Sequence, residues 1–256
     1  MPDHSGQRDP GRRNRRRPTT LALLAAWLVC VGALVDGPPA GRTLLVLQMN
    51  LCDSGIAGCY TGRSVAEAAA VIRATRPDAV TLNEVCASDV PALATGFEAA
   101  VFRAAGDRRT GGAFRCRDGE PYGIGVLVRD AARRYATSSG LYPVQDLRDP
   151  EERVWLCVDG PLRICTTHLA STSVDIARAQ CGYLVATVVH RSTVVGGDFN
   201  LGNLRSCAPS GFPHRSDGAV QQVVATAGFA MDSGRSISMD GTTDHPGLLV
   251  TLAVPA

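Results

Sequence analysis

The chain has 256 residues, enough for one large α/β domain, and carries 26 arginines, no lysine and 24 acidic residues for a formal net charge of +2. Six of the arginines and three of the acids fall within residues 1–40, so the remainder holds 20 positive against 21 negative charges. That near-neutral balance excludes the strong overall basicity common among nucleic-acid binders and leaves room only for a local patch.

Residues 1–40 read as a targeting segment with a short linker. Arg12, Arg13, Arg15, Arg16 and Arg17 precede the apolar run LALLAAWLVCVGALV at 21–35, and Pro38, Pro39 and Ala40 follow. A basic start, an apolar run and a small-residue exit make the pattern of a secretory signal. The run falls short of the roughly 20 apolar residues of a membrane span. The alternative is an uncleaved signal anchor, with residues 21–35 attaching the domain to the outer face of the membrane. On either reading residues 41–256 form the exported domain, expected to be a monomer without a protein partner.

Eight cysteines lie in that domain: Cys52, Cys59, Cys86, Cys116, Cys157, Cys165, Cys181 and Cys207. An even number in an exported domain implies disulfides. Cys52 with Cys59 would close a short Gly-containing loop. Cys157 with Cys165 would face each other across a hairpin turning at Asp159-Gly160-Pro161. No C-x-x-C pair or Cys/His cluster supports zinc instead.

The spacing predicts a buried strand over 42–50 (RTLLVLQMN), then a helix over 64–76 with Val65, Ala68, Ala69 and Ile72 on one face. A second apolar strand, AVTLNEV, covers 79–85. Residues 87–114 hold a short helix near Val90–Ala94 and a Gly- and Arg-rich loop. YGIGVLVR (122–129) reads as a strand, and Val154–Val158 with Leu162–Leu169 as a hairpin. Thr172 or Ser173 can cap an amphipathic helix over 174–190. Thr193-Val194-Val195 opens a strand broken by Gly196-Gly197. A helix around Ala219–Ala227 and a closing strand, GLLVTLAV (247–254), complete the pattern. Strands mixed with hairpins and a few helices imply an α/β sandwich and not a purely parallel sheet.

Several of these strands end in polar groups: Asn50, Asn83-Glu84, His168, and Asp198 with Asn200; Thr243-Asp244-His245 precedes the last one. Ligand sites in α/β folds collect at strand ends. Phosphoester hydrolysis needs a hard divalent cation on carboxylates, an acid/base to prepare water, and donors to the phosphoryl oxygens. Glu84 and Asn50 offer oxygens to Mg²⁺, His245 or Asp198 can activate water, and Asn200 and His168 can donate to phosphate.

QMN (48–50), LNEV (82–85), YGIGVLV (122–128), TTHL (166–169), GGDFN (196–200) and TDHPGLLV (243–250) resemble, in order, the motifs of the endonuclease/exonuclease/phosphatase superfamily. The resemblance implies a deoxyribonuclease-I-like, four-layered α/β sandwich of two packed mixed sheets flanked by helices. It implies Glu84 as metal ligand with Asn50 and Asp244 nearby, His168 as a phosphate-side acid or donor, Asp198 and Asn200 as phosphate and water positioners, and His245 as general base. Mg²⁺ is the expected metal, with Mn²⁺ or Ca²⁺ as alternatives.

Two departures stand out. The family usually carries an I-D-Y/H strand, about 20 or more residues before the final Asp-His, whose Asp orients the histidine. Here only Asp232, 12 residues before Asp244, and Asp240 are available. Either Asp232 fills that role across a shortened connection or the orienting carboxylate is missing. LNEV also stands where the family often has LQEV.

The function expected is a secreted, metal-dependent phosphoesterase acting on phosphodiesters, DNA or RNA among them. A sphingomyelinase-like phosphodiesterase or a phosphatase is the alternative within the superfamily, and a non-catalytic binding domain the alternative outside it. Arg103, Arg108, Arg109, Arg115 and Arg117 concentrate in one loop, and Arg115 and Arg117 are the candidate substrate contacts.

Overall fold

The first strand sets the pattern for the whole domain. In a computed structural model, which describes residues 41–130, 135–190 and 192–254, β1 (Thr43–Asn50) is buried on both faces over its last five residues. Leu47 and Met49 point to a helical layer; Leu44 and Val46 point to a second sheet. Alternation along a strand produces this division. The remaining elements are α1 (Ser64–Thr75), β2 (Ala79–Cys86), α2 (Asp89–Leu93), β3 (Ala99–Ala104), β4 (Gly106–Asp107), β5 (Gly112–Ala113), β6 (Tyr122–Val128), β7 (Ala136–Leu141), β8 (Glu151–Glu152) and β9 (Val154–Asp159). They continue with β10 (Arg163–His168), α3 (Val174–Tyr183), β11 (Thr193–Asp198), β12 (His214–Ser216), β13 (Gln221–Ala225), β14 (Ala230–Ile237) and β15 (Gly247–Ala253).

Two six-stranded sheets form, in the orders β14-β15-β1-β2-β6-β3 and β12-β13-β11-β10-β9-β7, beside a small sheet β5-β4-β8. Both large sheets are mixed: β1 runs parallel to β2 and antiparallel to β15, and β10 runs parallel to β11 and antiparallel to β9. Their inner faces meet through Leu44, Val46, Ile124, Ile164, Val194, Val223 and their neighbours. Outside the first sheet, α1 and α2 cover Leu47, Met49, Val80 and Leu82. Outside the second, Ala177 and Cys181 of α3 cover Cys165, Val195 and Val224. The result is the expected four-layered α/β sandwich.

Among the described residues, no helix is long and apolar enough to cross a membrane. The apolar run at 21–35 lies outside them. All eight domain cysteines pair, as Cys52–Cys59, Cys86–Cys116, Cys157–Cys165 and Cys181–Cys207. The first and third are the pairs read from loop and hairpin spacing. Four disulfides are in keeping with an oxidising compartment.

The helix expected around Ala219–Ala227 is absent; that stretch is β13, antiparallel to both β11 and β12. Val223 and Val224 are β-branched and all five residues are buried, so pairing on two sides outweighs the weak helical pattern. The helix from Val174 starts with Ser173 Oγ accepting from the Ile176 amide, at 3.4 Å. It ends at Tyr183 and continues as a π-helical turn, Leu184–Val188. Seven further strands, β3, β4, β5, β7, β8, β12 and β14, lie where the sequence predicts no strand.

Candidate active site

Along each central strand the inner face changes from apolar to polar toward one end. On β1 it runs Leu44, Val46, Gln48, Asn50; on β2 Ala79, Thr81, Asn83; on β10 Ile164, Thr166, His168; on β11 Val194, Gly196, Asp198. The two sheets thus enclose an apolar core at one end and a buried polar layer at the other. Gly196 and Gly197 make this closeness feasible. A Cβ on Gly196 would overlap Thr81 Oγ1 from the opposite sheet, and one on Gly197 would overlap the Thr167 carbonyl.

The polar layer is a connected hydrogen-bond network. Thr81 Oγ1 donates to Gln48 Oε1 at 2.5 Å, and Gln48 Nε2 donates to Asn83 Oδ1 at 2.7 Å and to Gln221 Oε1 at 2.9 Å. Gln221 Nε2 donates to Asp198 Oδ2 at 2.8 Å, and the Asp198 amide donates to Asn83 Oδ1 at 2.7 Å. Gln48, Thr81, Asn83 and Gln221 are fully buried, so a missing partner would be costly there.

At the end of this layer the sequence candidates come together. Asn50 Nδ2 donates to Glu84 Oε1 at 2.8 Å and to Asp198 Oδ2 at 3.2 Å, tying the two carboxylates to one amide. His168 Nε2 lies 3.9 Å from Glu84 Oε1. His245 Nε2 lies 3.6 Å from Asp198 Oδ2 and 3.7 Å from Asp244 Oδ1. Asn200 donates its backbone N–H to Asp198 Oδ1 and its side-chain N–H to the Leu169 carbonyl. Glu84, His168, Asp198, Asn200, Asp244 and His245 all line one open pocket.

Backbone irregularities aim these groups. Glu84 sits at a bulge of β2 against β6 and adopts φ 55°. The bulge turns its side chain out of the strand's alternation. Asn200 has φ 48° directly after β11, and Cys52 has φ 47° two residues after Asn50. Such left-handed conformations in non-glycine residues are uncommon and cluster at functional sites.

Burial pushes the Glu84 carboxyl up; the Asn50 hydrogen bond and Arg153 oppose this, while Asp198 and Asp244 add to it. Burial, with Arg153 and His245 nearby, holds His168 far below the usual histidine range, so its imidazole is neutral. A buried carboxylate with a neutral amide donor and other carboxylates around it fits a hard dication. The cysteines near the site are all in disulfides and supply no thiolate. Asn50 Oδ1 accepts from the Cys52 amide at 3.1 Å, so the amide face turned to Glu84 and Asp198 is its nitrogen.

Three sequence candidates lie elsewhere. Asp232 is exposed on β14, where Met231 and Ser233 pair with Leu252 and Thr251. The site end of that strand is Ile237, paired with Gly247, so Asp232 stands roughly 15 Å along the sheet from it. Arg115 donates to the Gly119 carbonyl, and Arg117 stacks over Tyr60 beside a separate recess lined by Asp53, Asp89 and Asp118.

Two residues in the site escaped the sequence reading. Gln221 was hidden by the helical assignment of its strand. Arg153, whose side chain is 5% exposed, lines the same pocket as Glu84, His168 and His245. Its Nη2 donates to Asp149 Oδ2 at 3.0 Å, and its Nη1 lies 3.3 Å from Glu151 Oε1. Its Nε has no hydrogen-bond partner. The signal was available: an arginine opening an apolar hairpin strand, with acids at i−2 and i−4 to hold it.

Residues 54–245 match the endonuclease/exonuclease/phosphatase family, and the chain belongs to it. Members of this family hydrolyse phosphoester bonds, typically with divalent metal ions; the protein is a hydrolase acting on phosphoester bonds. A comparison with curated protein sequences finds no match. Among solved structures, the chain is similar to an endonuclease/exonuclease/phosphatase from Beutenbergia cavernae, at 20% identity and TM-score 0.62 over 84% of this chain and 72% of that one. It is similar to the human Nocturnin catalytic domain with bound sulfate, at 15% identity and TM-score 0.62 over 82% and 93%. It is also similar to D. rerio TDP2 complexed with single-strand DNA product, at 15% identity and TM-score 0.56 over 82% and 98%.

Proposed function

We propose that the protein is an exported, metal-dependent phosphodiesterase in which His245 and Asp198 activate water and Glu84 holds the metal. The observation that carries this reading is the Asn50 amide, which joins Glu84 to Asp198 at 2.8 and 3.2 Å between two histidines. Carboxylate, amide and imidazole then surround one space in which a phosphate fits.

A divalent ion bound at Glu84, with Asp244 beside it, would neutralise charge on the phosphoryl oxygens; Mg²⁺ suits this oxygen-rich donor set best. His245 lies against Asp198, which can hold the imidazole while it takes a proton from water. Neutral His168 can donate a hydrogen bond to a phosphoryl oxygen without adding charge. The Arg153 guanidinium, fixed by Asp149 and Glu151, is the cation of the pocket wall and attracts the phosphate. These groups replace Arg115 and Arg117 as the phosphate-facing set. Export is supported by the signal-like pattern of residues 1–40, whether cleaved or kept as an anchor, and by the disulfides.

The test is hydrolysis of methyl p-nitrophenyl phosphate and of supercoiled DNA by the oxidised protein with Mg²⁺, Mn²⁺ or EDTA, beside His245→Ala. Turnover that needs metal and falls at least about a hundredfold in the variant is the expected result. Turnover unchanged in His245→Ala would overturn the assignment.

A further inference from the structure

The pocket that holds the polar set described above is also lined by Ile56, Ala57, Phe114 and the buried Tyr122. Ile56 is 58% exposed, although it is a large aliphatic side chain. A single exposed isoleucine on a surface needs no explanation. This one lines the pocket that holds Glu84, His168 and His245.

Its loop is fastened at each point. Cys52–Cys59 closes it. The Asp53 amide donates to the Glu84 carbonyl at 2.9 Å, and the Arg117 amide donates to the Ser54 carbonyl at 2.8 Å. Thr61 Oγ1 donates to the Thr242 carbonyl at 2.7 Å, joining the loop to the segment that carries Asp244 and His245. The loop's position is therefore coupled to both Glu84 and the His245 segment.

Much of the backbone of this wall is already paired. Ser54 Oγ accepts from the amides of Ile56 and Ala57, at 3.2 and 3.5 Å. The Ala57 carbonyl accepts from Tyr60, the Phe114 amide donates to Ala105, and the Phe114 carbonyl accepts from Tyr122. Phe114 meets Tyr122 edge-on at 5.6 Å between ring centroids. The side chains of Ile56, Ala57 and Phe114 offer no hydrogen-bond partner, so a sugar oxygen against them would lose water, whereas an apolar group would lose nothing.

We infer that Ile56, with Ala57 and Phe114, forms a specificity subsite for a compact apolar ester group, aryl or short alkyl, on the substrate phosphate. The inference rests on the phosphodiesterase reading, because it takes the polar set of the same pocket as the phosphate site. Ile56 is the specificity-determining residue because it is the large aliphatic side chain of the wall left exposed.

The test is calorimetric binding of phenyl phosphate, methyl phosphate and thymidine 5′-phosphate to the full oxidised chain with Mg²⁺. Binding needs no turnover, so it is read separately from the activity assay. Phenyl phosphate is expected to bind about tenfold more tightly than methyl phosphate, as burying most of one aromatic face implies. Ile56→Ser should reduce that ratio to about twofold, chiefly through weaker phenyl phosphate binding, and Ile56→Leu should keep it. Equal affinities in the native protein, a ratio untouched by Ile56→Ser, or thymidine 5′-phosphate binding as tightly as phenyl phosphate would each overturn the subsite. If none of the three binds while methyl p-nitrophenyl phosphate is hydrolysed, the subsite fails and the phosphodiesterase reading stands.

Discussion

Gln221 on β13 donates through Nε2 to Oδ2 of Asp198 on β11 at 2.8 Å, and both side chains are buried. Gln48 fixes which end of the Gln221 amide faces Asp198, because its own Nε2 takes the Gln221 oxygen. The carboxylate is thus presented to His245 by a neutral amide. Gln221→Glu keeps the shape but sets an acceptor against Asp198. A hydrogen bond to a charged group contributes about 1.5–3 kcal/mol, so kcat should fall about ten- to a hundredfold with little change in KM. Steady-state kinetics check this, and an unchanged kcat would show that Asp198 needs no such support.

The state of Glu84 predicts how metal and stability are linked. Burial raises its carboxyl pKa, so stability from this group is fully present below the ordinary carboxylate range and is lost as pH rises through the raised value. A cation at the carboxylate offsets that loss. Saturating Mg²⁺ at about 100 times its Kd should raise Tm by about 5 °C above neutral pH. Glu84→Gln should abolish that rise, and with it turnover, while leaving the metal-free Tm equal to or above that of the native protein. Thermal melts with and without Mg²⁺ decide the matter.

A second carboxylate pair gives a pH signature separate from catalysis. Burial raises Asp89 from 3.8 to about 7, although the Cys86 amide donates to it at 2.6 Å; Asp53 beside it adds to the rise. The folded state therefore binds a proton that the unfolded state has released between those two values. Stability from this group is fully present below pH 3.8 and is lost as pH rises through 7. Asp89→Asn retains an acceptor for Cys86 and should raise Tm at pH 8 by about 2–4 °C with no gain at pH 4. Equal effects at both pH values would exclude a protonated Asp89.

How much of this was legible follows the same physical lines. Asn50, Glu84, His168, Asp198 and His245 stand at the ends of strands whose apolar runs are strong, so their convergence could be read from strand ends and motif order. The β2 bulge that turns Glu84 outward leaves no mark in LNEV, since a bulge depends on the register of β6 opposite. Gln221 was lost because AVQQVVATA carries too short a pattern to separate strand from helix, and the β11 partners of this strand, from Asp198 opposite Gln221 to Val194 opposite Ala225, are remote in the chain. Asp232 was favoured by distance along the chain, but strand pairing with β15 carries it to the far end of the sheet. Arg115 and Arg117 were favoured by local density of charge. Asp107 and Gly119 engage the cations of that loop locally, whereas the lone Arg153 is buried in the pocket by acids of its own strand segment.

The disulfides flanking the site make a final prediction. Cys52 and Cys86 each stand two residues after a site residue, Asn50 and Glu84, and Cys86 Sγ contacts the Asp53 carbonyl at 3.4 Å. Cys52–Cys59 closes a short loop, separated by only 7 residues, so its entropic contribution to overall stability is the smaller part of its effect. Its larger effect is local, because the closed loop holds Ser54, Ile56 and Ala57 in the pocket wall. Replacing both cysteines by serine should lower Tm by only about 5 °C. The same change should raise KM for methyl p-nitrophenyl phosphate about tenfold or more, as the wall loses its fixed position. The Cys181–Cys207 pair provides the control: it ties α3 to the loop after β11 on the outer face of the second sheet, away from the pocket lining. Its removal should lower Tm by at least as much, since it closes a longer loop with a separation of 26, while KM stays within about twofold. Parallel losses of stability and affinity in both double variants would mean that the loop carrying Ile56 has no special part in substrate binding.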